Sequence, residues 1–158
     1  MGESAVAKSK AENLVTQSLL DRLCDVDDWP TTRQQSMRVY RESIKRDVEY
    51  LLNSRRPPIE DINLYPRAAA SVINYGLPDI HSYSESAGDQ SALMTAMLQT
   101  LRRFEPRIQG VRVFVSRGEA MTRSLQFRIE GRIQFDTQVE NIEFDTVLEL
   151  TRGEYEVK

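Results

Sequence analysis

The tripeptide Glu105-Pro106-Arg107 contains two charged side chains that could take part in binding or in catalysis. A carboxylate and a guanidinium stand on either side of a proline, which disfavours helical backbone at the residue before it. Held in a defined direction, the two charges could pair with a partner protein, since arginine offers a bidentate fork. They could equally satisfy each other or nearby backbone groups within the domain. The residues alone leave both interpretations open.

Glu105 could also be the general acid of a glycan hydrolase, for example one that acts on a cell-wall polymer. That mechanism needs a second carboxylate about 5–5.5 Å away, or about 6.5–9.5 Å away in inverting enzymes. The sequence offers Asp136, Glu143 and Asp145, but nothing places any of them opposite Glu105. Arg107 would favour the ionised form of a neighbouring glutamate, whereas a general acid must hold a proton. An enzyme is therefore the weaker interpretation.

Other catalytic and metal-binding signatures are missing from the sequence. His81 is the only histidine and Cys24 the only cysteine, so the chain cannot assemble a zinc site of His and Cys ligands. It contains no nucleophile elbow, Walker A loop or G-x-G-x-x-G run. We therefore expect no catalytic residues, no metal and no cofactor.

The composition is that of a single soluble domain. With 158 residues and 40% hydrophobic content, the chain can build one core, and its net charge of −3 gives no reason to expect nucleic acid as a partner. The basic pair Arg55-Arg56 is explained by the end of the helix that precedes it. No stretch approaches the roughly 20 apolar residues that span a membrane, and a signal peptide is not evident. We expect a cytoplasmic protein without direct membrane insertion.

Apolar periodicity predicts helices in the first two thirds of the chain. The clearest helix covers residues 33–53, where apolar residues repeat every three or four positions: Met37, Tyr40, Ile44, Val48 and Leu51. A shorter helix is predicted from Pro66 to near Gly76. Another begins near Asp89 or Gln90 and ends at Phe104, directly before the charged tripeptide.

After Pro106 the apolar period changes from about 3.6 to 2, which indicates strands. The first run contains Val111, Val113 and Val115, the second extends from Leu125 to Phe135, and the third contains Phe144, Thr146, Leu148 and Leu150. Gly131 within the second run indicates a bulge or a closely packed helix. The pattern predicts an α+β fold, with N-terminal helices packed on a C-terminal three-stranded antiparallel sheet.

Such a sheet leaves two unpaired edges, which could accept a strand from a partner. One candidate edge is the strand with Val111, Val113 and Val115, and the other is the C-terminal stretch from Phe144 to Val157, with Phe144, Thr146 and Leu148. Either edge could instead be guarded by charged residues: Arg112, Glu149 and Glu154. The sequence does not choose between the edges.

The N-terminal residues 1–17 are small, polar and weakly patterned, and we predict a flexible arm followed by one domain at 18–158. Directly after the arm, Leu19, Leu20 and Leu23 form a short apolar face. This face belongs either to a capped helical turn docked on the core or to a hook that inserts into a partner.

Five segments occur in an order that closely resembles one family: SLLDRL, SIKRDVEYLLNSRR, SVINYGLPD, RRFEPRI and IEFDTVLEL. The family is the baseplate subunit TssE of bacterial type VI secretion systems, akin to the small wedge protein of contractile phage baseplates. The resemblance covers residues 18–157. It implies a structural protein and not an enzyme, despite the lysozyme-like label that the family often carries.

The resemblance also implies partners and a location. Proteins of the TssE family sit in the baseplate wedge with TssF and TssG, joined by TssK, and offer a platform for the first ring of the TssB–TssC sheath. They assemble on the cytoplasmic side of the inner membrane. A Glu-Pro-Arg triplet is a hallmark of this family, which implies that Glu105, Pro106 and Arg107 bind a partner here.

Overall fold

The computed structural model describes residues 14–24, 30–79, 87–116, 124–135, 138–149 and 153–158. Contacts divide the chain into two compact units, Met1–Ser43 and Ile44–Lys158. Most of the predicted arm, as well as His81 and Asp136, lies outside the described residues, and the domain boundary at residue 18 stays a prediction. Within the described segments, none of the helices is both long and apolar enough to cross a membrane.

The described helices occupy the first two thirds of the chain, as predicted. They are α1 (Leu19–Leu23), α2 (Arg33–Asn53), α3 (Pro66–Ala69) and α4 (Ala87–Phe104), with 3-10 turns at Ile62–Leu64 and Val72–Asn74. The helix predicted from Pro66 to near Gly76 is shorter than expected. Ser71 interrupts it, because its hydroxyl donates to the Ala68 carbonyl at 2.8 Å and accepts from the Ile73 N–H at 3.3 Å.

Helix α2 begins at a reciprocal cap and buries the second half of its apolar stripe. The Gln35 N–H donates to the Thr32 hydroxyl at 3.2 Å, and the Thr32 N–H donates to the Gln35 side-chain oxygen at 3.3 Å. Further along, Ile44, Val48 and Leu51 are at most 2% exposed. These three members of the predicted stripe lie in the core, whereas Met37 and Tyr40 are half-buried.

The sheet confirms the α+β class but corrects the number of strands. It is antiparallel, in the order β1 (Ile108–Ser116), β2 (Ser124–Phe135), β3 (Gln138–Glu149) and β4 (Glu154–Val157). Three strands were predicted, and the fourth was missed because its four residues are too few for a periodic pattern. Gly153 has φ +67°, a left-handed conformation that glycine adopts easily, and it turns the chain back into β4.

Residues about 100 positions earlier hold β4 in place. The Asn53 side chain donates to the Tyr155 carbonyl and accepts from the Tyr155 N–H, both at 2.8 Å. Arg55 donates to the Gly153 carbonyl and lies 5.9 Å from the centre of the Tyr155 ring. Arg55 also donates to the Leu52 carbonyl at 2.9 Å, which confirms that its charge serves the end of α2.

Helix α4 and the strands supply the rest of the core. The residues that are at most 1% exposed include Leu93, Met97, Leu101, Phe127, Ile129 and Ile133. The register of β1 with β2 shifts between Gln109 and Arg112, opposite Gly131. A Cβ atom on Gly131 would lie 2.3 Å from a methyl carbon of Ile108, so the predicted bulge is confirmed and explains why glycine stands here.

Candidate functional site

The tripeptide Glu105-Pro106-Arg107 forms the connection between α4 and β1. Helix α4 ends at Phe104, and β1 begins at Ile108. The Glu105 N–H still donates to the Leu101 carbonyl at 2.9 Å, while the Glu105 carbonyl accepts from the Ile108 N–H at 3.2 Å. The helix therefore breaks at the proline as predicted, and the chain enters the strand after one tight turn.

Arg107 holds the Glu105 carboxylate inside the domain. Its Nε donates to Oε1 at 2.6 Å, its Nη2 donates to Oε2 at 2.5 Å, and its backbone N–H lies 3.3 Å from Oε1. Glu105 is only 4% exposed. The two charges satisfy each other through a bidentate pair, which was one of the two interpretations left open. A role of the triplet in binding a partner stays a prediction.

Asp47 is a third member of this cluster, and the sequence reasoning missed it. Arg107 Nη2 donates to Asp47 Oδ2 at 2.6 Å, and Arg46 Nε and Nη2 donate to Oδ1 at 3.1 and 3.0 Å. A signal was present, because Asp47 lies three residues after Ile44 and directly before Val48, at the border of the apolar stripe. A carboxylate at the border of a buried stripe needs a cation or donors nearby.

The cluster has clear electrostatic consequences. The hydrogen bond to Glu105 raises the pKa of Arg107 further above its usual value, although burial alone would lower it. The pKa of the Tyr75 phenol is raised by burial, and then by the negative charges of Asp47 and Glu105. Tyr75 packs edge-on against Phe104, with ring centres 5.2 Å apart. Arg107 stays charged and Tyr75 stays neutral. We call Glu105, Arg107 and Asp47 the charged clamp, because their ion pairs join α2 to the start of β1.

The strand pairing indicates which backbone groups of β1 face away from the sheet. In antiparallel strands, the N–H and C=O groups of successive residues alternate between the two neighbours. Asp145 of β3 accepts from the Lys158 N–H, so its neighbour Phe144 faces β2. The registers of β3 with β2 and of β2 with β1 extend this alternation across the sheet. The backbone N–H and C=O groups of Arg112 and Phe114 therefore point toward β2. The residues with backbone groups that face the open edge are Val111, Val113 and Val115.

The prediction that β1 forms a sheet edge is confirmed by the strand order. Only backbone is available at its first part, because the Val111 and Val113 side chains are buried at 1% and 8% exposure. Val115 and Phe114 are 38% and 42% exposed. Arg112 pairs with Glu130 at 3.2 Å on the solvent side, so this edge carries a bulge and a charge but no strand partner among the described residues.

Within the other candidate edge, the stretch from Phe144 to Val157, only β4 is an outer strand, so the prediction that Phe144, Thr146 and Leu148 mark this edge is wrong. They lie on β3, an interior strand of the sheet, and their side chains are at most 7% exposed. By the same alternation their backbone groups face β2. The physical reason is the turn at Gly153, which folds the C-terminal stretch back so that β4 covers β3 from Thr146 to Glu149.

A comparison with protein families now decides the class of protein. Residues 38–138 match the family described as baseplate wedge protein gp25. The matched part is well over half of the 158 residues. This chain belongs to that family. The resemblance inferred from the sequence motifs is thereby confirmed at the level of the baseplate wedge family, and the chain has a structural role in a phage-tail-like baseplate. A search of curated proteins found no match.

Within this wedge protein, the match includes Asp47, the charged tripeptide and the β1 edge, whereas α1 and β4 lie outside it. The leucines of α1 are exposed: Leu19 at 71%, Leu20 at 58% and Leu23 at 74%. Ser18 caps this turn by accepting from the Asp21 N–H at 3.2 Å. The capped turn is confirmed, its leucines are not buried, and their action as a hook stays a prediction.

The wedge protein does contain two carboxylates close to each other. Glu105 Oε2 and Asp47 Oδ2 lie 2.5 and 2.6 Å from the same nitrogen of Arg107, so they are no more than about 5 Å apart, near the spacing in retaining glycosidases. Here, however, the guanidinium fills the space between them. Both groups accept its hydrogen bonds as carboxylates, and a sugar would have to displace the arginine.

The carboxylates considered from the sequence are engaged elsewhere or lie outside the described residues. Glu143 and Asp145 each lie 3.0 Å from Nε of Arg128, on the exposed face of the sheet. Neither forms the pair with Glu105 that a hydrolase would need. The geometry of the cluster suits a clamp between structural elements better than a catalytic site.

Proposed function

We propose that this chain is the TssE-type subunit of a type VI secretion baseplate. In this role it binds TssF and TssG in the wedge, together with TssK, and promotes assembly of the first TssB–TssC sheath ring. It acts without catalysis, on the cytoplasmic side of the inner membrane. The family match supports the baseplate, and the five sequence motifs favour the secretion system over other contractile machines.

The open edge of β1 is the observation that carries the sheath part of this proposal. Three alternate residues present outward N–H and C=O groups: Val111, Val113 and Val115. A strand from a sheath subunit can form main-chain hydrogen bonds with such an edge without a specific side-chain sequence. Because Val111 and Val113 are buried on one face, an added strand would also extend the covered sheet.

The charged clamp gives this edge a fixed direction. Hydrogen bonds of 2.5 and 2.6 Å connect Asp47 of α2 and Glu105 to Arg107, the residue directly before β1. A preorganised edge loses less conformational entropy when a strand is added. In this proposal the triplet acts mainly by positioning β1, and the more exposed Arg107 and Asp47 are the members that a partner can reach.

Substitution of Val115 tests the edge. Val115→Pro removes an outward N–H and places a ring where the added strand must bond, while the ladder to β2 is kept. Val115→Thr is the matched control, because it keeps the N–H and the β-branched shape. We expect the proline variant to co-elute with TssF and TssG but to reduce sheath formation from TssB and TssC by about tenfold or more, counted by electron microscopy.

The possible results separate the parts of the proposal. Normal sheath formation by Val115→Pro would remove the β1 edge from the mechanism. Failure of the wild-type chain to co-elute with TssF and TssG would overturn the secretion-baseplate assignment itself. Solubilisation of cell-wall polymer by the wild type, abolished in Glu105→Gln, would favour the hydrolase instead.

A further inference from the structure

A groove of about 780 Å³ lies on the second unit, and its lining contains none of the clamp residues and none of β1. One wall is the segment after α2, which contains Arg56, Pro57 and Ile59. The C-terminal half of α4 forms another wall with Arg102 and Arg103. Neither the family match nor the proposed function assigns a role to this groove.

Among the described residues, no carboxylate forms an ion pair with the arginines of the groove. In the part of the chain that the structure describes, Arg56 and Arg102 form no ion pair, and Arg103 donates only to the Ala69 carbonyl, at 2.7 Å. Asp79 is the one carboxylate among the described lining residues. Three guanidiniums against one carboxylate make the groove positive in a protein whose net charge is −3.

Two isoleucines line the groove, and other exposed apolar residues are neighbours of lining residues in the chain. Ile59, at 43% exposure, and Ile62 line the groove. Leu64 belongs to the same 3-10 turn as Ile62 and is 72% exposed. Val72 and Ile73, at 82% and 52%, share the next 3-10 turn with a lining residue of the groove. Exposed apolar residues next to an uncompensated charge are typical of a protein-binding surface.

We propose that this groove binds an acidic, amphipathic segment of a partner protein. Carboxylates of that segment pair with Arg56 and Arg102, whose planar guanidiniums can each hold a carboxylate through two hydrogen bonds. Its apolar side chains cover Ile59 and Ile62, the two isoleucines that line the groove. The inference rests on the proposed function in one respect: the partner to be tested is the TssF–TssG wedge complex.

The lining favours a protein segment over nucleic acid. A single strand of nucleic acid is usually held by exposed aromatic rings that stack on its bases. Phe104 is the one aromatic residue among the described lining residues, and its ring already packs edge-on with Tyr75. Proline and isoleucine form much of the remaining wall, and they suit aliphatic side chains better than bases.

Charge reversal tests the groove. The double variant Arg56→Glu/Arg102→Glu replaces both positive charges, and Arg38→Glu/Lys45→Glu on α2 is the control with the same change in net charge. We expect the groove variant to raise the Kd for TssF–TssG by about tenfold or more, and the control to leave it within about threefold. Circular dichroism should be unchanged, since neither groove arginine forms an ion pair in the described segments.

A crosslink identifies the segment that occupies the groove. The photo-crosslinking residue p-benzoylphenylalanine replaces Gln99, an exposed lining residue. Mass spectrometry of the irradiated TssF–TssG complex should find it attached to a segment rich in Asp and Glu. Attachment to a neutral or basic segment, or no crosslink in a complex that does form, would overturn the inference.

Two further results separate this inference from the proposed function. A wild-type complex that tolerates the double reversal overturns the groove alone, whereas no wild-type complex overturns the proposed function and the groove with it. Oligothymidylate serves as the nucleic-acid probe in a fluorescence titration. If it binds the wild type and not the double variant, the groove is a nucleic-acid site and the proposal fails.

Discussion

The charged clamp and the basic groove lie in the same unit but differ in how their charges are paired. In the clamp, Glu105 is 4% exposed, and each of its carboxylate oxygens accepts from Arg107 at 2.6 Å or less. In the groove, Arg56 and Arg102 form no ion pair with any described residue. Helix α4 leads to both, because Arg102 lies only three positions before Glu105.

This difference distinguishes charges that fold the protein from charges that remain for a partner. A buried carboxylate that loses its cation leaves a desolvated charge behind, so the clamp must stay intact for the fold. A solvated arginine costs little to leave unmatched, and it can exchange water for a partner carboxylate. The clamp should therefore respond to mutation by unfolding, and the groove by loss of binding.

The largest expected effect follows removal of the negative charge of Glu105, a buried member of the clamp. Glu105→Gln keeps the shape of the side chain but removes the negative charge that Arg107 and its bidentate fork require. We expect the free energy of unfolding to fall by about 2–4 kcal/mol, since a buried ion pair is broken on one side only. Urea unfolding followed by circular dichroism measures the change.

Two controls make this test of the clamp specific. Glu130→Gln breaks another Glu–Arg pair, but its partner Arg112 is 69% exposed, so the expected loss is about 0–1 kcal/mol. Arg102→Ala, in the groove, should change the free energy of unfolding by no more than about 0.5 kcal/mol. Equal losses for Glu105→Gln and Arg102→Ala would remove the distinction between the two regions.

A smaller effect should appear at high pH, through Tyr75. Burial and the carboxylates of Asp47 and Glu105 raise the pKa of this phenol above its ordinary value of 10.0. The folded state then binds the proton more tightly than the unfolded state. Its contribution to stability is complete below pH 10 and is lost as the pH rises through the raised folded-state pKa. Wild type should therefore lose more stability than Tyr75→Phe between about pH 9 and about pH 11.

Urea unfolding at the two pH values measures this difference. Tyr50→Phe is the control, because it removes a phenol whose residue is 60% exposed. If Tyr75→Phe and wild type lose the same stability over this range, neither burial nor the negative charge of the clamp raises the pKa of this phenol.

The regular elements could be predicted from local sequence, because their signals repeat within a few residues. The stripe of Ile44, Val48 and Leu51 predicts α2, and the alternating valines predict β1. The break at Pro106 follows from the steric demands of proline on the preceding residue. Each of these features is determined by residues within the segment that forms it.

The rest depended on contacts between distant parts of the chain. Asp47 enters the clamp through Arg107, 60 positions later, and β4 is held by Asn53, 102 positions before Tyr155. No periodic pattern records such pairings. For the same reason the sequence showed the basic pair Arg55-Arg56 but not the separate positions of its two side chains. Arg55 supports β4, and Arg56 lines the groove.

The smallest expected effect on stability concerns the exposed leucines of α1, which extend the comparison from charges to apolar groups. Leu19, Leu20 and Leu23 are 58–74% exposed, so replacing all three by alanine removes little buried surface and should cost about 1 kcal/mol or less. Leu101→Ala, at 0% exposure, should cost about 2–5 kcal/mol under the same urea conditions. If the leucines form a hook for a partner, the triple variant should keep its stability but co-elute poorly with TssF and TssG. A loss of stability as large as that of Leu101→Ala would instead show that α1 is part of the core, and that its leucines belong with the groups that the fold itself requires.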